Sequence, residues 1–221
     1  MFSILIVEDD PDTNLVLREN LQLELSNARV DGVESIDEAI QHLEAAQQRQ
    51  EPYDAVILDV NLPKAIGEQP EMDETLCSVI RTLMPRETII AHVSAYLDDP
   101  KVINHMKTQH DEQIDRAFRL SKQDAEWASI LESKLKCFLY GAQISQQMDQ
   151  LFGEEDARSA TRRNRLGRMQ SGMDRSVTHK LSGLSRAIET YWNDLDDTLK
   201  ARIERTFEVT KKDDRTIVSF L

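Results

Sequence analysis

ILIVEDDP, residues 4–11, carries an unbroken apolar run straight into three acids, and VILDVNLP, residues 56–63, repeats the arrangement around a single acid, Asp59. Short continuous apolar runs of this kind belong to strands covered on both faces, which points to a parallel sheet. Working outward, FSILIV (2–7), ARVDGV (28–33), AVILDV (55–60), TIIAHV (88–93) and RAFRL (116–120) form a set of five predicted strands. Helical patterns lie between them. Residues 12–25 place Leu17, Leu21 and Leu25 on one face, 36–48 do the same with Ile36, Ala39, Ile40 and Leu43, and further helices are predicted at 73–84 and 100–109. Strand, helix, strand at this rhythm implies right-handed crossovers and a doubly wound, five-stranded parallel α/β sheet. Ligands of such sheets bind beyond the carboxyl ends of the strands, so chemistry is to be sought there.

The chain has 221 residues, of which 40% are hydrophobic and 30% charged, a composition suited to a globular protein with a sizeable core. No apolar run approaches the roughly 18 residues of a membrane span, and the opening MFSILIV meets EDD at once, unlike a signal peptide. A cytoplasmic protein is expected. Cys77 and Cys137 are too few for a disulfide framework and are predicted to be reduced thiols. The net charge of −13 is uneven: residues 1–156 hold 13 Lys and Arg against 31 Asp and Glu, a balance of −18, and residues 157–221 hold 14 against 9, a balance of +5. An acidic first part repels nucleic acid and suits divalent cations.

Beyond the fifth strand the pattern turns helical. Asp124 can cap a helix carrying Leu131, Leu135, Phe138, Ala142, Met148 and Phe152, and Gly153 ends it. A stretch rich in Arg and Ser follows, with Arg158, Arg162, Arg163, Arg165 and Arg168. From Asp174 to about Val209 a second long helix is predicted, its stripe made of Val177, Leu181, Leu184, Ile188, Trp192, Leu195, Leu199, Ile203 and Phe207. The expected organisation is therefore an α/β domain at 1–123, a long connecting helix at 124–153, a basic linker at 154–173 and a long-helix, all-α C-terminal region at 174–221. Stripes of that length want partner helices, and a homodimer would supply them.

Four of the five strands deliver polar groups at their carboxyl ends: Glu8, Asp9 and Asp10; Asp59; Ser94; and Ser121 with Lys122. Converging carboxylates repel one another unless a cation neutralises them. A small set of hard oxygen ligands favours Mg²⁺, and a lysine and a hydroxyl nearby would contact a phosphoryl group. This is a phosphoryl-transfer constellation built from positioning and charge.

ILIVEDDP, VILDVNLPKAIG, HVSA and LSK, in that order, resemble the receiver domain of two-component response regulators over residues 1 to about 140. The resemblance implies that Asp59 accepts a phosphoryl group from a sensor histidine kinase or a phosphotransfer protein. It implies that Asp9 holds Mg²⁺ directly and Glu8 through water, with Asp59 and the main-chain carbonyl of Asn61 completing the set. Ser94 matches the family's switch hydroxyl and Lys122 its phosphate-binding lysine. Two positions depart from the pattern. Gln123 follows the lysine where proline is usual, and Arg119 replaces the usual aromatic, for which Tyr96 or Phe118 are candidate substitutes. The loops EQPEMDE (68–74) and KTQHDEQID (107–115) are longer and more acidic than the family norm.

In the tail, HKLSGLS (179–185) weakly resembles a histidine phosphotransfer motif, with Ser182 at the usual lysine position. His179 and Gly183 share a helix face. The arginine cluster has no interleaved aromatics and no helix-turn-helix around it, so nucleic acid is not an expected partner. The reading is a response regulator: a phosphoacceptor, not an enzyme with a separate substrate, that controls a helical output or dimerisation module and meets a protein output partner. Two alternatives are a phosphorelay protein working through His179 and a receiver-like scaffold that takes no phosphate.

Overall fold

Strand β1 (Phe2–Val7) is an interior strand of a five-stranded parallel sheet, pairing on one side with β2 (Ala28–Val33) and on the other with β3 (Ala55–Asp59). The computed structural model describes residues 1–25, 27–72, 75–85, 87–95, 100, 117–152, 175–212 and 215–220. Helix α1 (Pro11–Glu24) joins β1 to β2, and α2 (Ile36–Arg49) joins β2 to β3. A two-residue strand pair follows, β4 (Asn61–Leu62) with β5 (Glu71–Met72), and then α3 (Leu76–Leu83), β6 (Ile89–Ser94) and β7 (Ala117–Ser121). Strand order is β2-β1-β3-β6-β7. The chain thus winds one way from β1 to β2 and the other way from β3 onward, which puts the reversal of strand order between β1 and β3.

The five predicted strands and the helices predicted at 12–25, 36–48 and 73–84 match the observed ones to within a residue or three. The apolar alternation on the strands explains the covering. Leu5, Val7, Val56, Leu58 and Ile90 face one way into a core with Leu43, Ala46, Leu76 and Ile80 of α2 and α3. Ile4, Ile6, Ile57, Ala91 and Val93 face the other way and are also buried, as are Leu17 and Leu21 of α1. Helix α2 opens with a reciprocal cap: the Glu38 N–H donates to Ser35 Oγ at 3.3 Å, and the Glu34 N–H donates to Glu38 Oε2 at 3.0 Å. Cys77 is buried, Cys137 is half-buried, and the two are not joined by a disulfide. The predicted helix at 100–109 lies outside the described residues except for Pro100. Tyr96, the loop 107–115, the basic linker 154–173 and its arginine cluster also lie outside them.

The chain divides into two units, Met1–Leu135 and Lys136–Leu221, with the boundary inside helix α4 (Trp127–Phe152). Asp124 marks the start of that helix: its Oδ1 accepts from the Glu126 N–H at 3.0 Å and its carbonyl from the Trp127 N–H at 3.2 Å. In the second unit the end of α4 contributes Ile144, Met148 and Leu151 to a core shared with Leu184 and Ile188 of α5 (Arg175–Tyr191). Leu199 and Ile203 of α6 (Asp197–Glu204) complete it, together with Trp192, Leu195, Phe207 and Val218. Arg202 of α6 holds α4 through Asp149 and, at 2.9 Å, Ser145 Oγ.

The C-terminal region is helical, but it is not all-α and its second helix is not continuous to Val209. A 3₁₀ turn (Trp192–Asp194) ends α5, and Asp196 caps α6 by accepting the Leu199 N–H at 2.8 Å. NDLDD (193–197) supplies side-chain acceptors that compete with helical hydrogen bonding, which is why the helix breaks there. FEVTKK and RTIVSF then form an antiparallel hairpin, β8 (Phe207–Lys212) with β9 (Arg215–Phe220). The hairpin is anchored to α5 by the Val218 N–H, which donates to Glu189 Oε1 at 2.9 Å.

Ile188 is fully buried at the centre of this second core. Ile188→Ala should lower stability by about 2–5 kcal/mol, read as a reduced urea midpoint of the far-ultraviolet helical signal.

Candidate functional site

The end of β1 releases three consecutive acids into three different surroundings. Glu8 still takes part in the ladder, its N–H donating to Val33 O at 3.1 Å, and it is 3% exposed. Asp9 is half-buried, and Asp10 turns outward to cap α1 by accepting the Thr13 N–H at 2.7 Å. Across the reversal of strand order, β3 closes with Asp59, whose Oδ1 accepts from the Val60 N–H at 2.6 Å and the Asn61 N–H at 3.3 Å. At the far edge the Lys122 N–H donates to Ser94 O at 2.9 Å, extending the β6–β7 ladder by one bond. That bond directs the lysine back over the sheet. Its Nζ donates to Glu8 Oε2 at 2.6 Å and to Asp59 Oδ2 at 2.5 Å, joining segments 114 and 63 positions apart in the chain.

Glu8, Asp9 and Asp59 each offer an oxygen within 4.8 Å of the others, a grouping suited to a metal ion. At an effective dielectric near 20, two like charges ~5 Å apart repel by about 3 kcal/mol, so three carboxylates and one ammonium leave the site short of positive charge. Burial raises the Glu8 pKa above the ordinary carboxylate value; the Lys122 hydrogen bond opposes this and the Asp59 charge reinforces it. Burial and the Asp59 charge likewise raise Asp9. Asp10 goes the other way, lowered by its hydrogen bonds with Thr13. Burial disfavours the Lys122 charge, yet Asp59 and Glu8 together outweigh it and the ammonium is stabilised.

A cleft of about 440 Å³ opens beside these groups, lined by Asp9, Asp59, Asn61, Pro70, Glu71, Met72 and Ala95. The structure therefore brings Glu8, Asp9, Asp59 and Lys122 together and puts Asn61 on the cleft wall. Ser94 closes β6 and is 1% exposed. His179 lies in α5 of the second unit, its side chain outside the described residues. The wall formed by Pro70, Glu71 and Met72 was not anticipated. EQPEMDE stood out as a long acidic loop, but only pairing with Asn61–Leu62 turns it toward the site. Gly67, at φ +88°, supplies the left-handed residue of the intervening turn.

Phe118 cannot take the place of the missing aromatic behind Ser94. Ser94 pairs with Ser121 and Ala91 with Phe118, so alternation puts Phe118 on the face opposite Ser94, where Lys134 lies 5.5 Å from its ring. Arg119 is exposed. Gln123 substitutes for proline with hydrogen bonds: its Nε2 donates to Ala95 O at 2.6 Å and its N–H to Ser121 Oγ at 3.3 Å.

Because the folded state raises the Asp9 pKa, the ionised Asp9 costs stability at neutral pH, and that cost vanishes below the unfolded value of 3.8. In chelator-treated protein Asp9→Asn should therefore melt above wild type at pH 7, with the difference closing as pH falls through the raised pKa toward pH 3. Thermal denaturation across that range checks the sign.

The family model of the response regulator receiver domain matches residues 4–124. No curated protein matches the chain. Similar solved structures include the receiver domain of a sensor histidine kinase from Pseudomonas aeruginosa with magnesium in its active-site cleft, 22% identical, covering 61% of this chain and 94% of its own, at TM-score 0.45. A response regulator protein from Burkholderia pseudomallei with a phosphorylated aspartic acid, calcium ion and citrate is 16% identical, covering 70% and 88%, at 0.44. A response regulator from Hahella chejuensis is 19% identical, covering 63% and 96%, at 0.46. With its parallel sheet in the order β2-β1-β3-β6-β7 and the family model spanning more than half of its length, the chain belongs to the response regulator receiver family.

Proposed function

We propose that this chain is a Mg²⁺-dependent phosphoacceptor of two-component signalling, with Asp59 as the acceptor and the second unit as its output module. The observation that carries the reading is the Lys122 ammonium, which donates to both Asp59 and Glu8 beside an open cleft. The donor is the phosphohistidine of a sensor histidine kinase or phosphotransfer protein. A carboxylate oxygen of Asp59 forms the bond to phosphorus as the donor's nitrogen–phosphorus bond breaks, and the imidazole nitrogen leaves with the electron pair. Lys122 balances charge on the phosphoryl oxygens.

Asp9 and Asp59, with Glu8 and the Asn61 carbonyl, are the groups that would hold Mg²⁺; their all-oxygen chemistry fits a hard cation, and their excess negative charge favours one. When bound, Mg²⁺ neutralises charge that develops on the transferred group. The hydrogen bonds to Oδ1 from Val60 and Asn61 orient the acceptor carboxylate before the donor arrives. The phosphoryl group stays on the chain, so the protein acts as a phosphoacceptor assisting its own phosphorylation and dephosphorylation, without a separate substrate.

Gln123 supports this reading over a scaffold that takes no phosphate, since its bonds to Ala95 and Ser121 leave Lys122 on both carboxylates. No helix among the described residues is long and apolar enough to cross a membrane, in keeping with a cytoplasmic site of action. The homodimer rests on the sequence expectation alone; Met148 of the first stripe and Leu184 to Phe207 of the second are buried in the core of the second unit. Transfer through His179 likewise rests on the motif alone.

With acetyl phosphate and Mg²⁺, intact-mass analysis should show one phosphoryl adduct on wild type and none on Asp59→Asn. Lys122→Ala should slow its formation by about 10²-fold. An adduct persisting in Asp59→Asn at wild-type level refutes the assignment. Asp9→Ala should weaken Mg²⁺ binding far more than Asp10→Ala, because each removes one charge but only Asp9 faces the cleft. Calorimetric titration separates the two.

A further inference from the structure

Asn14 stands in the first turns of α1, away from the cleft, and is 5% exposed. A buried carboxamide needs partners, and this one has two of unusual placement. Its Nδ2 donates to Glu8 O at 3.1 Å and to Val33 O at 2.9 Å. Val33 O also receives the Glu8 N–H at 3.1 Å, so the peptide groups on both sides of Glu8 are tied to a single point on β2. A carboxamide has two N–H groups, and each is used on a carbonyl. An aspartate there would set acceptors against acceptors, and a leucine would take this donor from Glu8 O and leave Val33 O with the Glu8 N–H alone.

The space for this arrangement comes from Gly32. A Cβ at that position would lie 2.1 Å from Asn14 Oδ1 and 2.6 Å from Arg18 Cδ. Any other residue at position 32 would displace the carboxamide. Gly32 is therefore required for close approach. ARVDGV contains the only glycine among the five strands of the main sheet, and it sits opposite the residue that needs the room.

We infer that Asn14 is a positioning residue of the metal site, holding the backbone of Glu8 so that Glu8 and Asp9 leave β1 with their carboxylates directed at Asp59. The inference rests on the reading of Glu8 and Asp9 as the pair that holds Mg²⁺. Two anchors define the acidic turn. Asp10 is fixed from the α1 side, where it accepts the Thr13 N–H and its carbonyl accepts the Asn14 N–H at 2.9 Å. Glu8 is fixed from the β2 side by the Asn14 side chain. Asp9 lies between them, so its direction is set by both ends. Asn14 touches neither the cleft nor the acceptor and acts through the turn. Outer partners that orient ligands in this way typically carry 10–100-fold in metal affinity.

The test is Mg²⁺ titration by calorimetry on the full chain, with melting temperature measured on the same samples. Four proteins are compared: wild type, Asn14→Leu, Gly32→Ala and Leu43→Ala, the last a core change in α2 that lowers stability without touching the turn. The expected result is Mg²⁺ binding weakened about tenfold in Asn14→Leu and in Gly32→Ala, with wild-type affinity kept in Leu43→Ala despite its lower melting temperature. A second expected signature is a rate of acetyl-phosphate modification that recovers in both turn variants at saturating Mg²⁺. Should Asn14→Leu not fold, Gly32→Ala carries the comparison by itself. Wild-type affinity in the folded turn variants overturns the inference and leaves the metal reading standing. Absence of Mg²⁺ binding in wild type itself overturns the metal reading, and the inference with it.

Discussion

The contact on which the first unit turns is the Lys122 ammonium between Glu8 and Asp59. Its three participants come from the ends of β1 and β3 and from the residue after β7, so one cation spans the sheet from its centre to its edge. Burying two carboxylates costs several kcal/mol each unless the interior supplies charge and hydrogen bonds. Lys122 supplies part of both. The remainder is unmet, since Asp9 adds a third carboxylate within 4.8 Å of the other two. The sheet is stable because of the hydrophobic covering on both faces, and it tolerates the charge only at the one edge where solvent and a cation can reach.

What was legible beforehand follows from which forces are local. FSILIV, AVILDV and TIIAHV are apolar on consecutive positions, and only a strand covered twice accommodates that, so the strands, their parallel sense and the carboxyl-end placement of Asp59 and Asp9 could be read directly. The resemblance of the ordered motifs supplied the roles expected of Ser94, Lys122 and Asn61. The β4–β5 ribbon was not legible, because two residues paired with two others eight or more positions away leave no periodic trace. Asn14 was missed for a related reason. Its importance lies in two carbonyls and one absent Cβ contributed by other elements, and nothing in PDTNLVL distinguishes it from a solvated helix residue.

The second unit shows how a correct stripe can carry a wrong boundary. Leu184, Ile188, Trp192, Leu195, Leu199, Ile203 and Phe207 are all buried together, as the spacing of three and four required. Burial alone does not demand one helix. The stripe passes through a 3₁₀ turn and a new cap at Asp196 and ends in a strand, because a core-facing residue follows at the right spacing whether the chain continues or turns back. FEVTKK has the β-branched residues and alternation of a strand, but Phe207 also fits the helical series from Ile203, and the sequence reading followed the helix. The deciding information was the polar run NDLDD, whose side chains cap and turn better than they continue.

The acidic triplet shows why a site cannot be read from residue type alone. Glu8, Asp9 and Asp10 carry the same charge at successive positions, yet the fold gives each a different task. Glu8 remains in register with β2 and is buried against Lys122. Asp10 finds the free amide of Thr13, and this bond both lowers its pKa and commits it to starting α1. Asp9 feels the Lys122 charge, but the lysine's hydrogen bonds go to Glu8 and Asp59, and the helix cap is taken by Asp10. The pKa of Asp9 is raised, and Asp9 is the one of the three that lines the cleft. A strand end followed at once by a helix end creates this division, since the backbone must satisfy a ladder on one side and a cap on the other and leaves the middle residue facing outward to the opening above Asp59.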